Sequence, residues 1–259
     1  MARKGDIKQV LREALPHGHV TTRQALRDAG LTVYQIDNLL KAKNILTVAP
    51  GVYRTPDTNV TWECVLASLQ KLPLEVSAGG LTSLAISGLQ HYIAFSDTEQ
   101  ITLFYQQKPP AWLHTILPSV QINIRNRAKL LDPHSHLETL YWSVTTARQP
   151  SVSFVASRPE LGLLESLLDV PESVSFEHVD FLMEGLSTLS PKRLHTALTH
   201  CKSVKVKRLF FWLAQRHQHS WAKRLDAGNY HLGAGKRVLA KPGKLDKTWL
   251  ITVPEQMYP

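Results

Sequence analysis

The chain has no long apolar run. Nothing in it approaches the ~18 residues that a membrane-spanning helix needs, so no membrane partner is expected. It has only two cysteines, Cys64 and Cys201, far apart and in no metal-binding or redox spacing. That excludes a disulfide scaffold and fits a reducing cytoplasm. The opening residues, Met1-Ala2-Arg3-Lys4-Gly5-Asp6, are charged with no apolar stretch behind them, so no secretory signal is expected.

Catalytic signatures are missing too. There is no G-x-S-x-G, H-E-x-x-H, G-x-G-x-x-G or paired-carboxylate motif, and no Gly-Ser followed by D-x-D, which a nucleotidyltransferase needs to hold metal ions. "GAGKR" at 233–237 echoes a phosphate-binding loop, but Tyr230 stands where glycine is required and Arg237 where Ser or Thr must hold Mg²⁺. His195 and His200 are spaced i, i+5, which puts the imidazoles on different helix faces and argues against a zinc pair with Cys201. His134, His136, His217 and His219 read as surface residues. No catalytic residue, metal or cofactor is expected, and the chain does not read as an enzyme.

What is present is unevenly placed positive charge. Thirty Lys and Arg against 21 Asp and Glu give +9, within an ordinary globular content of 43% hydrophobic and 20% charged residues. Residues 1–57 hold nine basic and five acidic side chains, and residues 58–157 hold six of each. Residues 158–184 hold one basic and seven acidic, and residues 185–259 hold fourteen basic and three acidic. Basic ends around a neutral middle predict two contacts with something anionic, nucleic acid being the obvious candidate.

The first 57 residues have a recognisable pattern. Ile7, Val10, Leu11, Ala14 and Leu15 share one helical face, and Pro16-His17-Gly18 ends that helix. Thr21 stands three residues before Gln24, a capping-box spacing for a second helix through Ala29 that Gly30 closes. Thr32 caps a third helix to about Lys43, with Asn44 closing it. Two β-favouring runs, 45–48 and 52–54, then flank Ala49-Pro50-Gly51, a hairpin. Helix, helix–turn–helix and hairpin together predict a winged helix-turn-helix. Its third helix buries Val33, Ile36, Leu39 and Leu40 and presents Tyr34, Gln35, Asn38 and Lys41. Asn and Gln pair bidentately with adenine, and Lys reaches guanine or phosphate. Thr22, Arg23, Lys43 and Arg54 complete the expected DNA-binding set, with Asp37 an acidic neighbour. Winged helices also mediate protein contacts; the basic charge of this segment favours DNA.

Four stretches resemble the AbiEi family of antitoxins and transcriptional regulators of type IV toxin–antitoxin systems. They are "VTTRQALRDAGLTVYQIDNLLKAKNILTVAPGVYRTP", "RPELGLLESLLDVPESVSFEHVDFLMEGLSTLSPKRL", "SVKVKRLFFWLAQRHQHSWAKRLD" and "GAGKRVLAKPGKLDKTWLITVP". The resemblance implies a winged helix that represses its own operon, and a larger C-terminal region that counteracts an AbiEii-like nucleotidyltransferase toxin without a stable complex. The implied partner is double-stranded operator DNA carrying inverted repeats. Family members often have glycine where Asn44 stands and basic wing tips where this chain has Ala49-Pro50-Gly51, which ranks the third helix above the wing for affinity.

Beyond Asp57-Thr58-Asn59, Thr61 caps a helix burying Trp62, Val65, Leu66, Leu69 and Leu72, and Thr82-Ser83 starts a short one through Leu89. Alternation over 101–105, 120–125 and 151–155 predicts strands. From Arg158 the chain turns helical, with Ser190-Pro191 and Ser203 starting two helices. The last of these carries Val206, Leu209, Phe210 and Leu213 on one side and Lys205, Arg208, Trp212, Gln215 and Arg216 on the other. Cations interleaved with an aromatic suit phosphates and an unpaired base, making RNA an alternative partner; a solvated face is the plainer explanation. Lys236 to Leu239 pairing with Thr248 to Val253 is the expected last hairpin, with Lys241, Lys244 and Lys247 in or beside its turn adding positive surface, and Lys236 and Arg237 join the basic patch. The expected fold class is α+β multi-domain: a winged helix-turn-helix (1–57), a mixed α/β middle (58–157) and a largely helical, basic C-terminal region (158–259).

Overall fold

The computed structural model describes residues 4–89, 99–107, 109–133, 137–146 and 149–258, so His134 and His136 lie outside the described residues. The chain is an α+β protein with ten α-helices and three sheets among the described residues.

It opens with α1 (Lys4–Ala14), β1 (Val20–Thr22), α2 (Arg23–Asp28), α3 (Val33–Lys41), β2 (Leu46–Ala49) and β3 (Val52–Arg54). The three strands pair antiparallel in the order β1-β3-β2, which gives this unit the topology of a winged helix. Leu15, Leu26, Leu31, Ile36, Leu39, Ile45 and Tyr53 form its core.

Local details differ from the sequence reading. Thr21 is not the cap of α2: it sits in β1, and Thr22 accepts from the Ala25 N–H at 3.1 Å. A three-residue strand carries too little pattern to be seen beforehand. α3 starts on a full capping box between Thr32 and Gln35. It ends at Lys41, two residues early, and Lys43 rather than Asn44 takes the left-handed turn, at φ 56°. Gly30 does take the positive φ expected of it, 100°.

The middle comprises α4 (Trp62–Leu69), β4 (Val76–Ala78), α5 (Gly80–Ile86), β5 (Glu99–Tyr105), α6 (Leu113–Ile116), β6 (Val120–Asn126), β7 (Tyr141–Thr146) and β8 (Gln149–Ser157). Its five strands run in the order β6-β5-β4-β8-β7. β5 and β6 are parallel, as are β4 and β8, while β4–β5 and β7–β8 are antiparallel. β4 and β8 share only one backbone pairing, Ala78 with Ala156. Beyond it a side chain takes over. The Gln70 amide donates to Val76 O (2.9 Å) and Val155 O (3.0 Å), and its oxygen accepts from the Val155 N–H (2.8 Å). α5 begins at Gly80, ahead of the expected Thr82-Ser83: Gly79 passes too close to Phe104 and the buried Glu165 for a larger residue, and Gly80 takes a positive φ of 55°.

α4 is buried along its whole length, with Thr61 as its cap. One side of it meets the large sheet and the other meets the winged helix. Val20, Ala49 and Val52 belong to the same apolar cluster as Trp62, Val65 and Leu66. The Val20 N–H donates to Ser68 Oγ at 2.9 Å, and the Gly18 N–H to Thr58 Oγ1 at 3.1 Å.

The rest holds α7 (Pro159–Leu168), α8 (Phe176–Gly185), α9 (Pro191–His200), α10 (Val204–His217), β9 (Lys244–Asp246) and β10 (Ile251–Val253). Ser190 and Ser203 cap α9 and α10 through Arg193 N–H and Val206 N–H. The last hairpin pairs β9 with β10; the expected partner strand, 236–239, contributes only an isolated parallel bridge from Arg237 to Ile251.

Candidate nucleic-acid interface

The outward face of α3 is built by burial of the opposite one. Ile36 and Leu39 are fully or nearly fully buried, which fixes the helix rotation and turns Tyr34 (74% exposed), Asn38 and Lys41 to solvent. Lys43 is exposed just beyond the helix end. Val33, expected in the core, is 46% exposed. It sits at the first helical position, ahead of the turn that packs, and adds an apolar spot beside Tyr34.

The other expected contact residues are held in place. Gln35 spends its side-chain oxygen on the Thr32 N–H at 2.8 Å. Thr22 Oγ1 is engaged as the cap of α2. Arg23 donates from Nε to Tyr53 Oη (3.0 Å) and from Nη2 to Asp37 Oδ1 (2.7 Å). One guanidinium thereby ties α2, α3 and the hairpin together, and both partners favour its charged form and raise its pKa. The same contact pairs Asp37, which neighbours the exposed face of α3, with a cation. The hairpin tip is joined to α2 as well, the Arg23 N–H donating to Gly51 O at 2.8 Å.

Arg54 is turned inward along the chain. Its Nη1 donates to Thr55 O, Pro56 O and Thr58 O at 3.1, 2.7 and 2.8 Å. The wing therefore offers no free cation at this position, and α3 is the better-equipped surface.

The expected C-terminal stripe does not form a surface. Arg208 and Trp212 are buried, 2% and 3% exposed, because α10 is enclosed on both sides and not on one. Arg208 donates to the carbonyls of Leu232 (2.7 Å), Gly233 (3.0 Å), Gly235 (2.6 Å) and Leu250 (3.2 Å). The glycine-rich segment 232–235 thus presents carbonyl oxygens to a cation, the opposite polarity to a phosphate-binding loop, whose N–H groups face an anion. Lys205 reaches Leu168 O and Val170 O at 2.8 and 2.6 Å, at the carboxyl end of α7, where a cation suits the helix dipole. Arg216 pairs with Asp180 at 2.9 Å and lies over the Trp212 ring. Lys236 and Arg237 remain exposed, on a separate segment. His195 Nδ1 meets Tyr230 Oη at 2.9 Å, and burial pushes the Cys201 thiol up to about 11. Among the described residues no group of three or more His, Cys, Asp or Glu could hold a metal ion. No helix there is long and apolar enough to cross a membrane.

Two family models match the chain. The one described as "Transcriptional regulator, AbiEi antitoxin N-terminal domain" matches residues 4–95, and the one described as "Transcriptional regulator, AbiEi antitoxin, Type IV TA system" matches residues 98–254. No curated protein matches in sequence. The crystal structure of the RV2827C protein from Mycobacterium tuberculosis is similar in fold, with a TM-score of 0.50 at 12% identity over 95% of this chain and 89% of that one.

Proposed function

Because the chain belongs to the AbiEi family of transcriptional regulators, the antitoxins of type IV toxin–antitoxin systems, we propose that it represses its own operon through α3. The family is one of regulators and antitoxins, not of enzymes. The observation that carries the proposal is the outward face of α3: Tyr34, Asn38 and Lys41 stand exposed, while the neighbouring Asp37 is neutralised by Arg23. Asn38 reads a base edge, adenine by preference, in the major groove. Lys41 and Lys43 meet phosphate, and Tyr34 with Val33 lies against sugar or a thymine methyl. Arg23 and Thr22 act through the positions they give α2 and α3. In the proposed division of labour residues 1–57 serve the operator, and residues 58–157 and 158–259 form the antitoxin region that counteracts a nucleotidyltransferase toxin without a lasting complex. The alternative of an RNA platform on α10 has lost its stacking residue, since Trp212 is buried.

The test is an anisotropy titration of the full chain on the DNA upstream of its gene, at two salt concentrations. Asn38→Ala is expected to cost about 1–3 kcal/mol at the operator and to relax specificity, whereas Lys41→Ala weakens all sequences evenly and lowers the salt slope by about 1. Unchanged operator affinity in the double variant overturns the placement.

A further inference from the structure

A cavity of about 220 Å³ lies where the winged helix meets the body. β1, α2 and the end of α1 make one wall; Ser68 of α4, Lys71 and Leu72 just beyond it, and Trp112 make the other. Its lining sorts into two kinds. Ala25, Leu72 and Trp112 are apolar, and His19, 7% exposed, is held neutral: burial first, then the nearby Lys71 charge, lower its pKa. The hydroxyl of Ser68, also on the wall, is already spent, accepting from Val20 N–H and donating to Cys64 O. The two charged lining residues are both exposed and of opposite sign, Glu13 and Lys71. Partial desolvation weakens the hold of Lys71 on its proton, and an anion brought beside it restores that hold.

A cavity of mixed lining, with Thr21 and Thr22 beside its apolar wall and one carboxylate and one ammonium among its residues, matches a small solute that carries both charges and an apolar tail. The volume holds about seven water-sized molecules at ~30 Å³ each, close to a leucine-sized solute. We propose that this junction cavity binds a zwitterionic amino acid with an apolar side chain, its carboxylate on Lys71, its ammonium on Glu13 and its side chain against Ala25, Leu72 and Trp112. The occupant touches α2, which precedes the reading helix, and α4 of the body at once. It is therefore an effector that sets how firmly one is held on the other. This site stands whether or not α3 reads DNA.

The experiment follows thermal unfolding and calorimetric binding of the full chain with valine, leucine, isoleucine, methionine and phenylalanine. For each that binds, the matching amino alcohol lacks the carboxylate and the matching des-amino acid lacks the ammonium. At least one amino acid is expected to raise Tm by about 2 °C or more at ~10 mM. Each single-charge analogue should bind about tenfold more weakly or worse, since each leaves one rim charge unmatched. Lys71→Met and Glu13→Gln, both at exposed positions that leave the fold intact, should reproduce those losses, and Ala25→Leu should fill the space and abolish binding. No shift with any of the five overturns the proposal. So does equal binding of the analogues, or binding by Lys71→Met and Glu13→Gln at the affinity of the unaltered chain.

Discussion

Replacing Arg208 by lysine keeps the charge and discards the geometry, so it separates a structural cation from a recognition one. The guanidinium is 2% exposed and serves four carbonyls spread over residues 232 to 250, two of them at 2.7 Å or closer. A lysine ammonium donates from a single point and cannot reach the same four directions. At least two charge-assisted bonds are lost, each worth about 1.5–3 kcal/mol net. The segment 233–237 is exposed, so water re-solvates part of what is lost. The expected cost of Arg208→Lys is therefore about 2–4 kcal/mol, a fall in Tm of roughly 5–10 °C for a chain of this size. Circular dichroism melts of the full chain measure it. A Tm within about 2 °C of the unaltered protein refutes the reasoning, because a solvated phosphate contact tolerates lysine and a carbonyl clamp does not.

Three further outcomes follow from the geometry. Gln70→Glu puts a carboxylate against Val76 O and Val155 O, and is expected to lower the urea midpoint by the equivalent of about 1–2 kcal/mol, more than Gln70→Met; equal loss in the two removes the side chain's role as a substitute for backbone pairing. Glu165 is fully buried against Gly80 N–H and Ser157 Oγ, and burial pushes its pKa from 4.5 up to about 7. The folded chain thus holds this proton more tightly than the unfolded one. The resulting stability is complete below about pH 4.5 and is lost as pH rises through 7, by up to about 3 kcal/mol, and Glu165→Gln should flatten that slope in urea midpoints taken from about pH 5 to 8. Arg23→Ala frees the Asp37 carboxylate beside the reading face, so operator affinity should fall and Asp37→Asn should restore part of it; no rescue would mean that Arg23 touches DNA itself.

What the sequence made legible was local. Thr32, Thr61, Ser190-Pro191 and Ser203 each start the helix expected of them, since a cap is decided within four residues; the one capping-box spacing read beforehand, Thr21 with Gln24, missed by a residue. Pairing between distant segments left no such trace. β4 is three residues, Val-Ser-Ala, and β7 is recognisable as a strand only once β8 lies beside it. The polar side of α10 misled for a related reason. Periodicity reports the chemistry of a face, not what later packs on it, and there the C-terminal segment supplies carbonyls that make a buried arginine tolerable. Which face of α3 is exposed was legible because its buried side is fixed by neighbours close in sequence. Val33, Arg54 and the Arg23–Asp37 pair needed the tertiary arrangement.

Val20, Ala49 and Val52 belong to the cluster built around α4, so the winged helix cannot part from the body without wetting all three. Both must then unfold as one cooperative unit, and whatever grips either end protects the other from proteolysis by mass action. On the proposed operator contact, DNA would shelter the distant half of the molecule as well. A copy released from that site would lose the protection along its whole length, and the pool of intact protein would then track the number of occupied operators.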